Sequence, residues 1–260
     1  MTAGSTGPHR IFPNASDIDA LSRAQWEAIL NGPEAPAVTW ITAAARENHA
    51  QAQAVLGQWL LDGRGMARDE AAAFNWFQRA AAQGHLMAMN MAGRCMEHGW
   101  GTAPNLADAA RRYRQAADGG LDWGMYNLAN LLATGRGVPL DQPQAFDWYR
   151  RAAELGHARS MNMVGRYLEE GLVVAQDTAR AFALYRQSAE AGDFRGQFSY
   201  ASMLLEQGQV DAAVQWFERI AESAPAVHVE RIARQLSASP EPKVQQAARH
   251  LLAESAKRSS

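Results

Sequence analysis

Three columns of side chains, each advancing by 36 residues, hold the residue types of this 260-residue chain that suit recognition chemistry. The first is Gln58, Arg94, Asn130, Arg166 and Ser202. The second, four residues earlier, is Ala54, Asn90, Tyr126, Asn162 and Phe198, and the third, three earlier again, is Gln51, Met87, Trp123, Arg159 and Arg195. Offsets of three and four put all three columns on one face of a helix. The candidate binding residues are Asn90, Arg94, Trp123, Tyr126, Asn127, Asn130, Arg159, Asn162, Arg166, Arg195 and Phe198. Amide side chains can meet both the donor and the acceptor of an extended peptide backbone, and a guanidinium group can hold a carboxylate through two parallel hydrogen bonds. Aromatic rings take apolar side chains. A solvated helix face with a few rings packed between helices would show the same residue types, so the pattern alone leaves both readings open.

Bond-breaking chemistry has little to build on. Glu97 and His98 are adjacent, but no HExxH spacing or equivalent surrounds them. Cys95 is the single cysteine, which excludes a disulfide or a CxxC site within one chain, and it shares a column with Trp59, Leu131, Tyr167 and Met203, as a packed small hydrophobe would. Ser160, Ser199 and Ser202 lack a Gly-x-Ser-x-Gly elbow. The Gly-x-Gly turns are not followed by Gly-Lys-Ser/Thr, so they read as turns and not as a phosphate cradle. No catalytic residue, metal or cofactor is expected. A net charge of −2 cannot supply the electrostatic footprint of nucleic-acid binding. The cations are skewed: Lys243 and Lys257 are the two lysines, and the repeated region uses arginine throughout. Codon bias explains that skew, and so does a groove that grips acidic groups through guanidinium forks.

The elements that must position these residues follow from the period itself. Ala80-Ala81 returns as Ala116-Ala117 and Ala152-Ala153, then as Ser188-Ala189. Small residues recur at Gly57, Gly93, Ala129, Gly165 and Ala201, and aromatic ones at Phe77, Tyr113, Tyr149 and Tyr185. A fixed period in this range marks a tandem array whose units bury their apolar faces by stacking. Each unit reads as two helices by its i, i+3, i+4 apolar spacing, over 86–98 for a first helix and 141–155 for a second, with Trp148 in the core between helices. Gly135-Arg136-Gly137-Val138-Pro139 connects them, and Gly156 ends the second helix before His157; His49, His85 and His157 read as capping or packing residues. Trp40, Ala44-Ala45 and His49 make a preceding half unit, and Trp216 to Ala221 lies four residues early, which implies a shortened last loop. Val173 stands where Gly65, Gly101 and Gly137 stand, and a β-branched residue tolerates positive φ poorly, so the fourth loop is expected to take another path. Met1 to Pro13 lacks an apolar h-region and reads as a tail without a secretory signal. No apolar run approaches the ~18 residues of a membrane span. Apolar positions from Val227 to Leu236 and from Val244 to Leu252 predict two terminal helices.

The run Leu56-Gly57, Leu60, Gly63-Arg64-Gly65, Asp69, Ala73, Trp76-Phe77, Ala80-Ala81, Gly84 resembles the Sel-1-like repeat, a longer-looped relative of the tetratricopeptide repeat. Ala129, Gly135 to Val138, Asp141, Ala145, Trp148 to Ala153 and Gly156 form its cleanest copy. The resemblance implies an all-α fold, a right-handed α/α superhelical solenoid of helix-turn-helix repeats of about 36 residues, with first helices on the concave face. The expected organisation is a disordered tail at 1–19, a capping helix at 20–36, the repeat array at 37–224 and capping helices with a tail at 225–260. It further implies a bacterial, cytoplasmic, non-catalytic scaffold that binds a peptide or disordered segment of a partner protein. An acidic segment suits the arginines, and a monomer without membrane or nucleic-acid contacts is expected. The cysteine-rich branch of the family, with its proposed penicillin binding, does not transfer to a chain with one cysteine. Two alternatives stand beside the scaffold: an enzyme or small-ligand protein with a pocket involving Trp123, Tyr126 and His98, and an immunity or accessory protein of a secretion or toxin system.

Overall fold

The computed structural model describes Pro13, Ile18 and residues 21–259, and among them lie fourteen helices and no strand. In chain order these are α1 (Arg23–Asn31), α2 (Glu34–Arg46), α3 (Ala50–Asp62), α4 (Glu70–Ala82), α5 (Leu86–His98), α6 (Leu106–Asp118) and α7 (Asp122–Thr134). They continue as α8 (Gln142–Glu154), α9 (Ala158–Glu170), α10 (Thr178–Glu190), α11 (Phe194–Glu206), α12 (Val210–Ser223), α13 (Ala226–Ser237) and α14 (Pro242–Ser259). The fold is an α/α solenoid of helix pairs, with α3, α5, α7, α9 and α11 as first helices. The chain divides into two compact units, one of Met1–Gly124 with Arg136–Val138 and one of Met125–Gly135 with Pro139–Ser260.

In the first unit, α3 packs on α4, α4 on α5 and α5 on α6. The contact that seats each pair joins two of the sequence columns. A Cβ added to Gly57 would lie 2.8 Å from the Phe77 ring, and one on Gly93 would lie 2.8 Å from the Tyr113 ring. Both distances are below any real carbon contact, so the ring rests on bare backbone. Cys95 is fully buried, and burial pushes its thiol up to about 11, the state of an inert packed hydrophobe. The second unit repeats the arrangement: a Cβ on Gly165 would meet the Tyr185 ring at 2.7 Å. Trp148 on α8 is 6% exposed, as the apolar spacing predicts.

Each connecting loop is tied at both ends. In the first unit the Asp69 amide donates to the Leu60 carbonyl at 2.9 Å and the Asn105 amide to the Met96 carbonyl at 2.7 Å. In the second, Asp141 donates to Leu132 at 3.0 Å and Asp177 to Leu168 at 2.9 Å. The same four side chains are N-caps: Asp69, Asn105, Asp141 and Asp177 accept from the amides of Ala72, Asp108, Gln144 and Arg180. These ties correct the expectation for the fourth loop. Val173 has φ 53° and therefore follows the left-handed path of Gly65, Gly101 and Gly137. The loop has the same length as its counterparts, its Leu172 amide donates to the Tyr167 carbonyl as Arg64 does to Trp59, and Asp177 closes it in the same way. Fixed ends and fixed length dictate the path, and Val173 absorbs the strain.

The last connection, between Glu206 and Val210, is short, in accord with the contraction before Trp216. At the C-terminal end α13 packs on α14 and α14 on α12. Val229, Ile232, Ala233 and Leu236 are buried, whereas Val227 faces outward at 69% exposure. At the other end the stretch expected to be one helix over 20–36 holds α1 and the start of α2, because Gly32-Pro33 ends one helix and Pro33 initiates the next. The tail expected at 1–19 lies outside the described residues apart from Pro13 and Ile18.

Candidate functional site

The columns of the sequence fall on successive first helices, so the candidate residues divide between the units. In the first unit Asn90 on α5 is buried, at 2% exposure. Arg94 places its guanidinium carbon 5.0 Å from the centre of the Trp100 ring and its Nη1 3.8 Å from the Met91 sulfur. Trp123 is half-buried at the start of α7.

The second unit brings the remaining candidates together on α7, α9 and α11. Tyr126 is half-buried, its ring 5.0 Å from the His157 imidazole and 6.0 Å from the Tyr149 ring, and Asn127 next to it is half-buried as well. Asn130 accepts a 2.6 Å hydrogen bond from the Tyr149 hydroxyl, whose pKa burial drives upward, so that ring remains a donor. Phe198 on α11 is half-buried with its ring 5.8 Å from Phe217. Arg166 is exposed and donates from Nε to Glu170 at 2.7 Å, a hydrogen bond that raises its pKa further. Arg159 Nε and Arg195 Nη1 approach the same oxygen, Asp193 Oδ1, at 3.8 and 3.9 Å. Asn162 is 8% exposed, and its Oδ1 is buried without a hydrogen-bond partner.

Several arginines of the array serve the second helices. Arg79 stacks over Trp76 at 4.8 Å, Arg151 over Trp148 at 4.2 Å and Arg219 over Trp216 at 4.4 Å. A planar guanidinium covers an indole in a way that an ammonium does not, which gives the arginine usage a packing role. The i, i+3 spacing of each pair was the signal for it. The repeat-end histidines are N-caps of the following first helices: His85 Nδ1 accepts from the Ala88 amide at 3.1 Å and His157 Nδ1 from the Ser160 amide at 3.3 Å. His49 holds the same N-cap position, where its side chain makes no capping bond. Asp193, 36 residues after His157, caps α11 by accepting from the Gly196 amide at 3.1 Å. Sequence reasoning passed over Asp193, although its place in the histidine column was visible.

Glu97 and His98 do not act on one another. The Glu97 carboxylate accepts from the Tyr113 hydroxyl at 2.7 Å and pairs with Arg136 at 3.1 Å, and the His98 ring stacks on Trp100 at 4.7 Å. Among the described residues no group of three or more His, Cys, Asp or Glu is placed to hold a metal, and no helix is long and apolar enough to cross a membrane.

The geometry above agrees with the family comparison, in which the Sel1 repeat model matches residues 50–85, 86–121, 124–157, 158–193 and 195–224. The chain belongs to the Sel1 repeat family. Its solved relatives include a Sel1 repeat protein from Oxalobacter formigenes, with a TM-score of 0.75 at 23% identity over 90% of this chain and 99% of that one. A second is c5321, a protective antigen of uropathogenic Escherichia coli with an SLR fold, at TM-score 0.66 and 26% identity over 91% of this chain. This chain spans about half of that protein, 53% of its length. A third, the immunity protein Pa5087 from Pseudomonas aeruginosa, shares the fold at TM-score 0.56 and 15% identity over 80% of this chain and 81% of that one. No curated protein matches the sequence. Sel1 repeat proteins are generally non-catalytic scaffolds for protein interaction.

Proposed function

We propose that the strip of the second unit, on α7, α9 and α11, receives an extended segment of a partner protein, and that the chain works as a non-catalytic, monomeric adaptor in the cytoplasm. Within it, 37–224 is the repeat array, with 20–36 and 225–260 as its caps and 1–19 as a tail. The observation that carries the binding reading is Asn162. A buried carbonyl oxygen without a partner costs about 1 to 3 kcal/mol, so it calls for a compensating role. A bound peptide backbone supplies that role, since an amide side chain can turn about χ2 to offer either its oxygen or its nitrogen to the next backbone group. The half-buried rings of Tyr126 and Phe198, one helix to either side, then take apolar side chains of the same segment. Fold likeness at 15% identity to an immunity protein carries no partner to this chain.

Asn162→Leu tests this reading, because leucine has nearly the shape of asparagine and removes the orphaned oxygen. The expected outcome is an unchanged or raised melting temperature together with at least roughly tenfold weaker binding of a partner segment. Unchanged partner affinity, measured by titration of the captured polypeptide, would reject the strip as the binding face.

A further inference from the structure

We infer that Arg159 and Arg195 form a seat for a carboxylate of the bound segment, and that Asp193 holds the two guanidinium groups in place of that carboxylate while the strip is empty. This inference rests on the strip being the binding face. Asp193 is held from two sides. Its Oδ2 accepts from the Gly196 amide at 3.1 Å as the cap of α11, and its Oδ1 faces Arg159 Nε at 3.8 Å and Arg195 Nη1 at 3.9 Å. Those last separations attract, but they are too long for hydrogen bonds. The capping bond fixes the carboxylate, so Asp193 cannot turn to present two oxygens to either fork. Arg195 Nη1 is accordingly buried without a hydrogen bond.

The seat is built as well as charged. The Arg195 guanidinium lies 4.3 Å over the Phe194 ring, which fixes its plane before any ligand arrives. The His228 ring packs on the same phenylalanine at 5.0 Å, and Arg231 Nη2 stands 3.3 Å from His228 Nδ1. Two guanidinium groups therefore face one carboxylate, and that carboxylate is almost fully buried. Burial, then the positive charge of Arg195 and Arg231, lowers the pKa of His228. Burial raises the pKa of Asp193 against the Gly196 amide bond and the charges of Arg195 and Arg159. At two equivalent caps, His85 and His157, a histidine does the capping without a negative charge, so the charge at Asp193 is not a requirement of the cap. A ligand carboxylate, with both oxygens unconstrained, can make the charge-assisted bonds that Asp193 cannot.

The carboxylate can come from a Glu or Asp side chain or from a chain terminus, and three synthetic probes separate these. They are Ac-Ala-Leu-Glu-Leu-Ala-NH2, Ac-Ala-Leu-Ala-Leu-Ala with a free C-terminus, and Ac-Ala-Leu-Gln-Leu-Ala-NH2 with no carboxylate. Each is titrated into the full chain while the Nε–Hε signals of Arg159 and Arg195 and the side-chain amide of Asn162 are followed by NMR. One or both carboxylate probes should shift both arginine signals saturably, and the Gln probe should not. Asp193→Asn keeps the cap, since Asn caps as well as Asp, and should tighten the carboxylate probe by roughly tenfold, whereas Arg195→Gln should abolish its effect. No arginine shift with either carboxylate probe, equal shifts with the Gln probe, or unchanged affinity in Asp193→Asn would overturn the seat. Carboxylate probes that shift Asn162 and leave the arginines still would overturn the seat and keep the strip. Arginine shifts with a silent Asn162 amide would overturn the strip alone.

Discussion

Val173 holds a left-handed φ of 53° that the corresponding loops assign to glycine, and its side chain is about half exposed. An L-residue in this region carries roughly 1 to 2 kcal/mol of strain that no buried contact of an exposed valine offsets. Val173→Gly should therefore raise stability by about 1 kcal/mol, seen as a melting temperature higher by roughly 2 to 4 °C. A lower melting temperature would place the valine in a contact worth more than its strain. At His85 the expectation concerns pH. Its Nδ1 accepts the Ala88 amide, so the cap needs a neutral ring, and burial holds the pKa below its ordinary 6.5. The unfolded chain then takes up its proton first as pH falls. The contribution of His85 is complete above 6.5 and is lost as pH drops toward the folded value. His85→Asn keeps a capping oxygen that does not titrate, and should flatten the fall of melting temperature below neutrality. Parallel pH profiles for the two proteins would show that the cap does not depend on the ring's charge.

The helices were legible because the 36-residue step repeats the i, i+3, i+4 spacing in every unit, and so was the core position of Trp148 on α8. Trp148→Ala should cost roughly 3 to 5 kcal/mol, since the indole is buried and also supports the Arg151 guanidinium at 4.2 Å. A melt within about 1 kcal/mol of wild type would contradict its core role. The glycine and aromatic columns were visible separately, yet the fact that Tyr113 lies on the backbone of Gly93 needs the packed pair. The path of the fourth loop was misread for a related reason. Its residues argue locally against positive φ, but the backbone bonds of Leu172 and Asp177 to α9 fix the loop from outside. Gly101 shows the opposite limit: a Cβ there would sit 2.0 Å from the Glu70 carbonyl oxygen. Gly101→Ala should cost about 2 kcal/mol or more, and an unchanged thermal melt would mean that α4 can retreat from the loop.

Across the molecule, periodicity exposed the candidate site as columns but could not rank their members. Asn90 and Asn162 share a column with the half-buried Tyr126 and Phe198, and yet both asparagines are buried. Asn130 is committed to Tyr149, and Arg166 to Glu170. These distinctions arise from neighbours on adjacent helices, which a single column does not contain. In the second unit Tyr126 and Phe198 are half-buried to either side of the column of Asn162, and Arg159 and Arg195 face Asp193. The central claim, that a partner lies along the first helices, is tested most directly by site-specific photo-crosslinking. A benzoylphenylalanine in place of Phe198 on α11 is compared with one in place of Arg186, an exposed residue of the second helix α10. The account predicts a covalent polypeptide adduct from position 198 and none from position 186. An adduct from 186 with none from 198 would contradict it.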